Sequence, residues 1–295
     1  MSIAKQAARG VAWNMVLGIS SRMLQLIGTL LLAKYIVPHD YGAVMAASIA
    51  VMVAGAFTSF AFGQYLIAKR ASPEVAIQAA ILHFGLGVIT MAVLYLLSEP
   101  IGNLLDSPAM DQYMLGLAAA HLIDRARYVP ERLIMRSLRF RAIATINGLG
   151  EVAFTAAALA TVHAWGPSAI VIGTLARSVV TSSLFFYAAP RAEWLVRARL
   201  RAADVRDLFL YGLPILIANI SDRLATRCDN LIVTKLFGLD VMARYQLSFS
   251  LAEMPIFNVA EHIGEVLMPS FSRMEPAQRE RAVVRAPALM GLIVS

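Results

Sequence analysis

The chain has 295 residues, of which 59% are hydrophobic and 15% are charged, and its formal net charge is +7. Soluble domains hold about 45–50% apolar and about 25% charged residues, so one soluble core cannot bury this excess of apolar side chains. The composition therefore excludes a soluble enzyme, a disordered tail and a disulfide-stabilised scaffold. It indicates a protein whose second apolar solvent is the bilayer.

Apolar runs between charged residues and Pro or Gly predict the membrane-spanning helices in chain order. A span needs roughly 20 apolar residues, and with about 12 residues per connection the chain has room for about nine spans. The predicted spans are residues 11–33, 42–67, 75–97, 112–134, 142–164, 167–189, 207–233 and 243–268. A ninth apolar segment begins near Val283, and its apolar stretch after Pro287 is too short to cross a bilayer.

Lysine and arginine residues are distributed unequally between alternate connections. Seventeen of the 26 basic residues lie in alternate segments beginning with the N-terminus, whereas Lys34, Lys235 and Arg244 lie in the intervening connections. By the positive-inside rule this distribution predicts a cytoplasmic N-terminus. The basic segment 190–206 is predicted to form an amphipathic helix on the cytoplasmic surface, with Trp194 toward lipid, and to link two lobes.

Six arginines fall inside the predicted spans, more than two residues from either end: Arg22, Arg125, Arg127, Arg177, Arg223 and Arg227. A central arginine costs about 2.5–3.5 kcal/mol on lenient insertion scales, so these side chains must face the bundle interior, a water-filled cavity or a carboxylate. Arg127 stands three residues after Asp124 and four before Glu131, a spacing that predicts local ion pairs. Structural ion pairs, for example with Asp222 or Glu151, are the alternative to ligand binding for the other arginines.

The polar face of the first span recurs in the seventh span at an offset of 201 residues. Arg22 aligns with Arg223, and Gln25 aligns with Thr226. Six spans separate the two copies, an even number, so the predicted repeat is parallel, as in transporters whose substrate site lies between two halves. The predicted fold is therefore an all-α, polytopic transmembrane helix bundle. It consists of a six-helix lobe at 1–189, a basic linker at 190–206 and an incomplete second lobe at 207–295.

Several segments resemble polysaccharide exporters and O-antigen flippases in their order along the chain. They are GVAW at 10–13, LAKYIVPHDYG at 32–42, VP at 129–130, RSLRFR at 136–141, DNLIVTKLFG at 229–238, residues 245–255 and MPSFSR at 268–273. The chain is thus similar over its whole length to a family of the multidrug/oligosaccharidyl-lipid/polysaccharide superfamily. The family pattern has two six-helix lobes, so the chain is expected to hold one lobe and part of the other.

The resemblance implies transfer of an undecaprenyl-diphosphate-linked oligosaccharide across the cytoplasmic membrane for surface polysaccharide biosynthesis, by alternating access of a cationic cavity. Guanidinium groups suit phosphate oxygens because their planar donors can bind two oxygens at once. On this interpretation Arg22 and Arg223 attract the diphosphate, and Arg177 and Arg227 extend its path. The candidate substrate-binding residues are Arg22, Arg223, Arg177, Arg227, Gln25 and Asn14.

Four acidic residues are candidates for ion coupling or for ion pairs with the arginines: Asp222, Glu253, Glu261 and Glu265. Buried carboxylates can carry protons, so coupling to Na⁺ or H⁺ stays open, and neutralisation of the arginines is the alternative. The sequence predicts no metal cluster and no cofactor. His83 and His121 stand alone on apolar helices and are expected to be core residues.

Three alternatives stay open beside the flippase. A cation-coupled multidrug antiporter of the same superfamily is expected to have few arginines and a carboxylate in the cavity of its first lobe. A truncated remnant would transport nothing. A membrane sugar-chain ligase or polymerase would need a large external loop with catalytic residues, which the predicted connections lack, so we expect no enzyme.

The expected location is the bacterial inner membrane, crossed several times by the chain. The expected partners are the lipid bilayer, the undecaprenyl-diphosphate-linked oligosaccharide and other membrane proteins of polysaccharide assembly. The basic charge orients the chain in the membrane on this interpretation, and we expect no nucleic-acid partner.

Overall fold

The computed structural model describes residues 20, 23–104 and 107–249, without the side chains of Pro108, Arg223, Thr226 and Arg227. These ranges form helices and turns and contain no strand, so the predicted all-α class is confirmed. The helices are α1 Met23–Leu32, α2 Pro38–Ala56, α3 Phe62–Ala68, α4 Pro73–Leu96, α5 Ser98–Leu104, α6 Asp111–Ala126, α7 Tyr128–Arg136, α8 Phe140–Trp165, α9 Ser168–Ala188, α10 Ala202–Phe237 and α11, described over 239–249. Short 3₁₀ turns occupy Pro108–Met110 and Arg191–Glu193.

Four of the described helices are long and apolar enough to cross a membrane, namely α2, α4, α8 and α9. Helix α10 has 36 residues and, at 1.5 Å per residue, is about 54 Å long, so it exceeds the ~30 Å hydrocarbon core of a bilayer. Pro38 and Pro73 stand at the first turns of α2 and α4, where the missing N–H of proline costs no helical hydrogen bond. The predicted membrane helix bundle is confirmed.

Two of the predicted spans consist of two helices each. The span predicted at 42–67 is divided into α2 and α3 by residues 57–61, where Ala61 has a left-handed backbone with φ of 53°. The span predicted at 112–134 is divided into α6 and α7 at Arg127, three residues before Pro130. Pro130 lacks the N–H that a continuous helix would need at that position, which explains this second break.

A side chain of α7 satisfies one backbone group at the first break. Tyr128 Oη receives a hydrogen bond from the backbone N–H of Gly63 at 3.0 Å and donates to Gln64 Oε1 at 3.1 Å. The ring of Tyr128 also stacks on His83 of α4, with 3.9 Å between ring centroids. Because unsatisfied backbone groups are costly in an apolar solvent, the hydrogen bond to Gly63 stabilises the first break.

The largest apolar core lies between α2, α6, α8 and α9. Tyr41 of α2, Met114 of α6, Phe154 of α8 and Ile170 of α9 are buried there. Leu239 at the start of α11 belongs to the same core, so the second predicted lobe begins in direct contact with the first. Helix α10 packs against α2, α3 and α4.

The linker at 190–206 is not the amphipathic helix that the charge pattern predicts. After the 3₁₀ turn Arg191–Glu193 the backbone is irregular until α10 begins at Ala202. Trp194 stacks on Phe186 of α9 with 5.7 Å between centroids. The segment is held by tertiary contacts, because Glu193 pairs with Arg136 at 2.6 Å and the side chain of Gln78 bonds residues 201 and 204.

Two glycines of α4 provide a matched test of how Arg125 packs on this helix. A Cβ built on Gly87 would overlap Arg125 Cδ, whereas a Cβ built on Gly85 meets no atom within 4 Å. Gly87→Ala is expected to lower the free energy of unfolding by about 1–3 kcal/mol through overpacking. Gly85→Ala is expected to raise it by about 0.5–1 kcal/mol, since alanine has the higher helix propensity. Unfolding in detergent measures both, and equal effects would show that Arg125 does not pack on α4 in this way.

Candidate substrate cavity

A cavity of about 440 Å³ opens between α1, α2, α6, α8, α9 and α11. Its helices belong to the first predicted lobe except α11, which belongs to the second. Apolar side chains such as Leu117 and Phe154 form part of the wall. The polar lining residues are Gln25, Thr29, Tyr41, Ser48, His121, Asp124, Thr174, Arg177 and Gln246. A cavity with an apolar wall and a few convergent polar groups is typical of a ligand-binding site.

Arg177 of α9 brings a guanidinium group to the cavity wall. Its Nη1 donates to Glu151 Oε1 of α8 at 3.3 Å, and its guanidinium carbon lies 5.6 Å from the centroid of the Phe154 ring. The side chain keeps 29% of its surface exposed, compared with 14% for Glu151. Arg177 is therefore both a partner of Glu151 and a group that a ligand in the cavity can reach.

Asp124 of α6 brings a carboxylate to the same wall. Its Oδ1 accepts a hydrogen bond from Arg127 Nε at 3.0 Å, and its Oδ2 accepts one from the hydroxyl of Ser178 at 3.0 Å. Arg127 Nη1 also pairs with Glu131 at 3.0 Å. The local ion pairs predicted from the spacing of these three charged residues are therefore confirmed.

His121 lies one helical turn before Asp124 and also lines the cavity. Its Nε2 accepts a hydrogen bond from Arg125 Nε at 3.0 Å. Arg125 is only 6% exposed, and its other nitrogens donate to the backbone oxygens of Gly55 and His83. Arg125 therefore holds α6 against α2 and α4, while His121 contacts Arg125 and also lines the cavity.

The predicted site residues differ in how far the structure describes them. Gln25 and Arg177 lie in the cavity lining. Asp222 is an exposed residue of α10 and is absent from the described lining. For Arg223 and Arg227 only the helical backbone of α10 is described. The residues that lie outside the described ranges are Asn14, Arg22, Glu253, Glu261 and Glu265.

Sequence reasoning missed the role of His121. His121 is only partly buried, because its ring packs on Arg125 and also lines the cavity, whereas the expected core position is confirmed for His83, which is 5% exposed. The signal was the spacing of His121 and Arg125, four residues apart on α6, which puts the imidazole and the guanidinium side by side. Tyr41, Ser48 and Thr174 carried no sequence signal beyond being polar residues in apolar helices.

The described lining holds one positive and one negative side chain, Arg177 and Asp124. Each has an oppositely charged partner within 3.3 Å. Among the described residues, no group of three or more His, Cys, Asp or Glu side chains is placed to hold a metal ion. The described part of the cavity can therefore offer a guanidinium, an imidazole and several hydroxyl and amide groups to a polar ligand.

The comparison with known families decides the identity of the chain. The profile of the family described as "Polysaccharide biosynthesis protein" matches residues 31–294. The chain belongs to this family. The membership confirms the resemblance to polysaccharide exporters and flippases of the multidrug/oligosaccharidyl-lipid/polysaccharide superfamily.

Two curated relatives of the polysaccharide biosynthesis family match nearly the whole chain. The lipopolysaccharide biosynthesis protein WzxC of Escherichia coli (strain K12) is 23% identical over 308 residues, which cover 100% of this chain and 62% of the relative. The teichuronic acid biosynthesis protein TuaB of Bacillus subtilis (strain 168) is 20% identical, over 96% of this chain and 58% of the relative. The chain thus spans about three-fifths of the length of these relatives.

Solved transporters share the fold of this family member. A mutant of the MATE transporter VcmN of Vibrio cholerae superposes with a TM-score of 0.75 and 17% identity, over 97% of this chain and 70% of that protein. A MOP superfamily transporter of Pyrococcus furiosus Vc1 (DSM3638) superposes with a TM-score of 0.67 and 19% identity, over 100% of this chain and 71% of that protein. These likenesses establish a MATE-like helical fold.

Proposed function

We propose that this chain forms the first lobe and part of the second lobe of a transporter that flips or exports a lipid-diphosphate-linked oligosaccharide for surface polysaccharide biosynthesis. The observation that carries the proposal is Arg177, a guanidinium group that a ligand can reach in a polar cavity between helices of both predicted lobes. Guanidinium groups bind phosphate oxygens through paired, charge-assisted hydrogen bonds. Membership of a polysaccharide biosynthesis family supports the oligosaccharide class of substrate.

Around Arg177, the hydroxyl and amide groups of the lining suit the sugar part of the substrate. Ser48, Thr29 and Thr174 offer hydroxyl groups, and Gln25 and Gln246 offer amides that both donate and accept. In the proposed cycle, the cavity opens alternately to the two sides of the bacterial inner membrane, with the N-terminus of the chain in the cytoplasm. Arg22, Arg223 and Arg227 join Arg177 as phosphate ligands, and Asn14 joins Gln25 on the polar face of the first helix.

In the same proposal, Asp222, Glu253, Glu261 and Glu265 serve either ion coupling to Na⁺ or H⁺ or the neutralisation of these arginines. The proposed partners are the bilayer, the undecaprenyl-diphosphate-linked oligosaccharide and other membrane proteins of polysaccharide assembly. The division into residues 1–189, 190–206 and 207–295, related by a parallel repeat, belongs to this proposal as well.

A cation-coupled multidrug antiporter is a second candidate because one observation favours it. Asp124 places a carboxylate in the cavity of the first predicted lobe, the feature that an antiporter needs there. Its engagement by Arg127 and Ser178 argues for a structural role instead. The variant Asp124→Asn distinguishes the two candidates in an assay of cation-driven drug efflux. Efflux by the parent chain that is lost in this variant would establish the antiporter and overturn the flippase.

The flippase is tested in cells that lack their own flippase for lipid-linked oligosaccharides. One strain carries this chain, and a second carries the chain extended by the remaining helices of a full-length relative. We expect surface polysaccharide to return in at least the second strain, and we expect Arg177→Gln to reduce it while Arg197→Gln, in the irregular linker, leaves it unchanged. Absence of surface polysaccharide in both strains, with both proteins inserted in the membrane, would overturn the proposal.

A further inference from the structure

The protonation state of His121 follows from its hydrogen bond with Arg125. Arg125 Nε donates to His121 Nε2 over 3.0 Å. A guanidinium group has only donors, so Nε2 must be the nitrogen that carries no proton, and the imidazole is neutral in this arrangement. Because His121 also lines the cavity, an added proton can reach its ring from that side. Nε2 is thus the basic atom of the ring, and it faces Arg125 and Gly55.

The same guanidinium group joins α6 to two further helices. Arg125 Nη2 donates to the backbone oxygen of Gly55, near the end of α2, over 2.6 Å. Arg125 Nη1 donates to the backbone oxygen of His83, in α4, over 3.3 Å. The third nitrogen of this guanidinium group, Nε, is held by its hydrogen bond to His121. The position of His121 and the hydrogen bonds of Arg125 to α2 and α4 therefore depend on each other.

Two glycines make the room in which this cluster fits. A Cβ built on Gly55 of α2 would lie 2.6 Å from His121 Nε2, and a Cβ built on Gly87 of α4 would overlap Arg125 Cδ. The imidazole and the guanidinium therefore pack directly on the backbones of two helices. A displacement of either group must be transmitted to α2 or α4, because packed interiors leave no free volume to absorb it.

We propose that His121 is the proton-binding residue of the cavity and that its protonation releases Arg125 from α2 and α4. In this step a hydronium ion of the cavity water gives up one proton: its O–H bond breaks, one N–H bond forms at Nε2, and neutral water remains. The nitrogen that accepted the hydrogen bond becomes a donor and positively charged, so it repels the Nε–H of Arg125. Arg125 then loses the contact that orients it toward the oxygens of Gly55 and His83.

The charged and titratable groups around His121 determine how its protonation changes the affinity of the cavity for a ligand. On α6 these are Asp124 and Arg125, on α4 His83, on α9 Arg177 with its partner Glu151 of α8, and on α2 Tyr41. The carboxylates of Asp124 and Glu151 are already paired with arginines. A ligand with phosphate groups supplies the negative charge that balances the added proton. Proton and ligand are therefore expected to bind with positive cooperativity, and this part of the inference rests on the proposed function.

The first experiment measures proton uptake when a phosphate probe binds. The whole chain in nanodiscs is titrated with inorganic diphosphate by calorimetry in two buffers of different ionisation enthalpy, between about pH 4 and pH 8, a range wide enough for a partly buried histidine. We expect the dissociation constant to fall with decreasing pH by up to about tenfold per pH unit, the limit for uptake of one proton. His121→Gln should keep only the part of this dependence that comes from the titration of diphosphate itself, because a glutamine oxygen still accepts from Arg125 but does not titrate. His163→Gln, at an exposed position of α8, is the control and should behave like the parent chain.

The second experiment needs no ligand. Hydrogen exchange of the backbone amides of residues 54–60, corrected for the intrinsic pH effect, should be at least several-fold faster at low pH in the parent chain and in His163→Gln. In His121→Gln the corrected rates should be the same at both pH values. Equal pH dependence of exchange in the parent chain and in His121→Gln would overturn the inference, as would an unchanged proton uptake in His121→Gln.

The two experiments separate the inference from the proposed function. Failure of diphosphate to bind any variant at any pH would overturn the phosphate site, while exchange that still depends on His121 would support the proton site. Binding of diphosphate that involves Arg177 but shows no dependence on His121 would support the proposed function and overturn the proton site.

Discussion

Replacement of Arg177 by glutamine is expected to weaken the binding of undecaprenyl diphosphate by about 10- to 150-fold. The estimate corresponds to the loss of one charge-assisted hydrogen bond, which contributes about 1.5–3 kcal/mol. Arg177 lies at the cavity wall with 29% of its side chain exposed, so its remaining donors can reach a phosphate while Nη1 contacts Glu151. Fluorescence or calorimetric titration of the chain in nanodiscs measures the dissociation constant.

Glu151 provides the control that separates ligand binding from a structural ion pair. Glu151→Gln breaks the ion pair but keeps the guanidinium, so binding should be unchanged or tighter. The double variant Glu151→Gln with Arg177→Gln removes both charges and should bind as weakly as Arg177→Gln alone. If Arg177 were only the partner of Glu151, both single variants would lose stability and neither would lose affinity for the diphosphate.

Replacement of Arg125 by methionine is expected to lower the free energy of unfolding by about 2–5 kcal/mol. Methionine keeps much of the volume but donates no hydrogen bond, so the buried oxygens of Gly55 and His83 each lose a partner, at a cost of about 1–3 kcal/mol per group. Unfolding in a graded series of denaturing detergent measures the change. Arg199→Met, at an exposed position of the irregular linker, should change it by less than about 0.5 kcal/mol.

An Arg125→Met variant as stable as Arg199→Met would contradict the arrangement of helices around the two breaks. The buried guanidinium would then have no part in holding α2 and α4 against α6. A selective loss of stability would instead show that a buried arginine in a membrane helix can serve packing through backbone oxygens. Within the described residues, no carboxylate hydrogen-bonds to Arg125, whereas Arg127 and Arg177 have Asp124 and Glu151.

The helical class and the approximate position of the apolar segments could be predicted from the sequence because hydropathy reports directly on the solvent around each segment. The observed α8 and α9 differ from the predicted spans by two residues or fewer at each end. The breaks after α2 and after α6 were missed, because both lie in apolar runs that satisfy a length rule. The first break is held by tertiary contacts, such as those of Arg125 and Tyr128, and the only local signal for the second is Pro130.

The same contrast holds for the cavity. The sequence predicted that the arginines inside spans face polar surroundings, and it paired Arg127 with Asp124 and Glu131 correctly from their spacing alone. Arg177 and Gln25 could be predicted for the same reason, because a polar side chain inside a span is costly anywhere else. The partners across helices, such as Glu151 for Arg177 or the oxygen of Gly55 for Arg125, depend on packing that no local spacing contains. The predicted amphipathic helix at 190–206 was wrong for the same reason, because Gln78 and Arg136, which lie on other helices, hold this segment.

The proposed function requires that the cavity recognises a diphosphate head group. The most direct measurement compares two lipids with the same polyprenyl chain, undecaprenyl diphosphate and the uncharged undecaprenol, by titration of the purified chain in nanodiscs. We expect saturable binding of the diphosphate lipid at least about tenfold tighter than that of the alcohol, weakened by salt because the attraction is electrostatic. Equal affinity for the two lipids, independent of salt and of Arg177, would contradict the account.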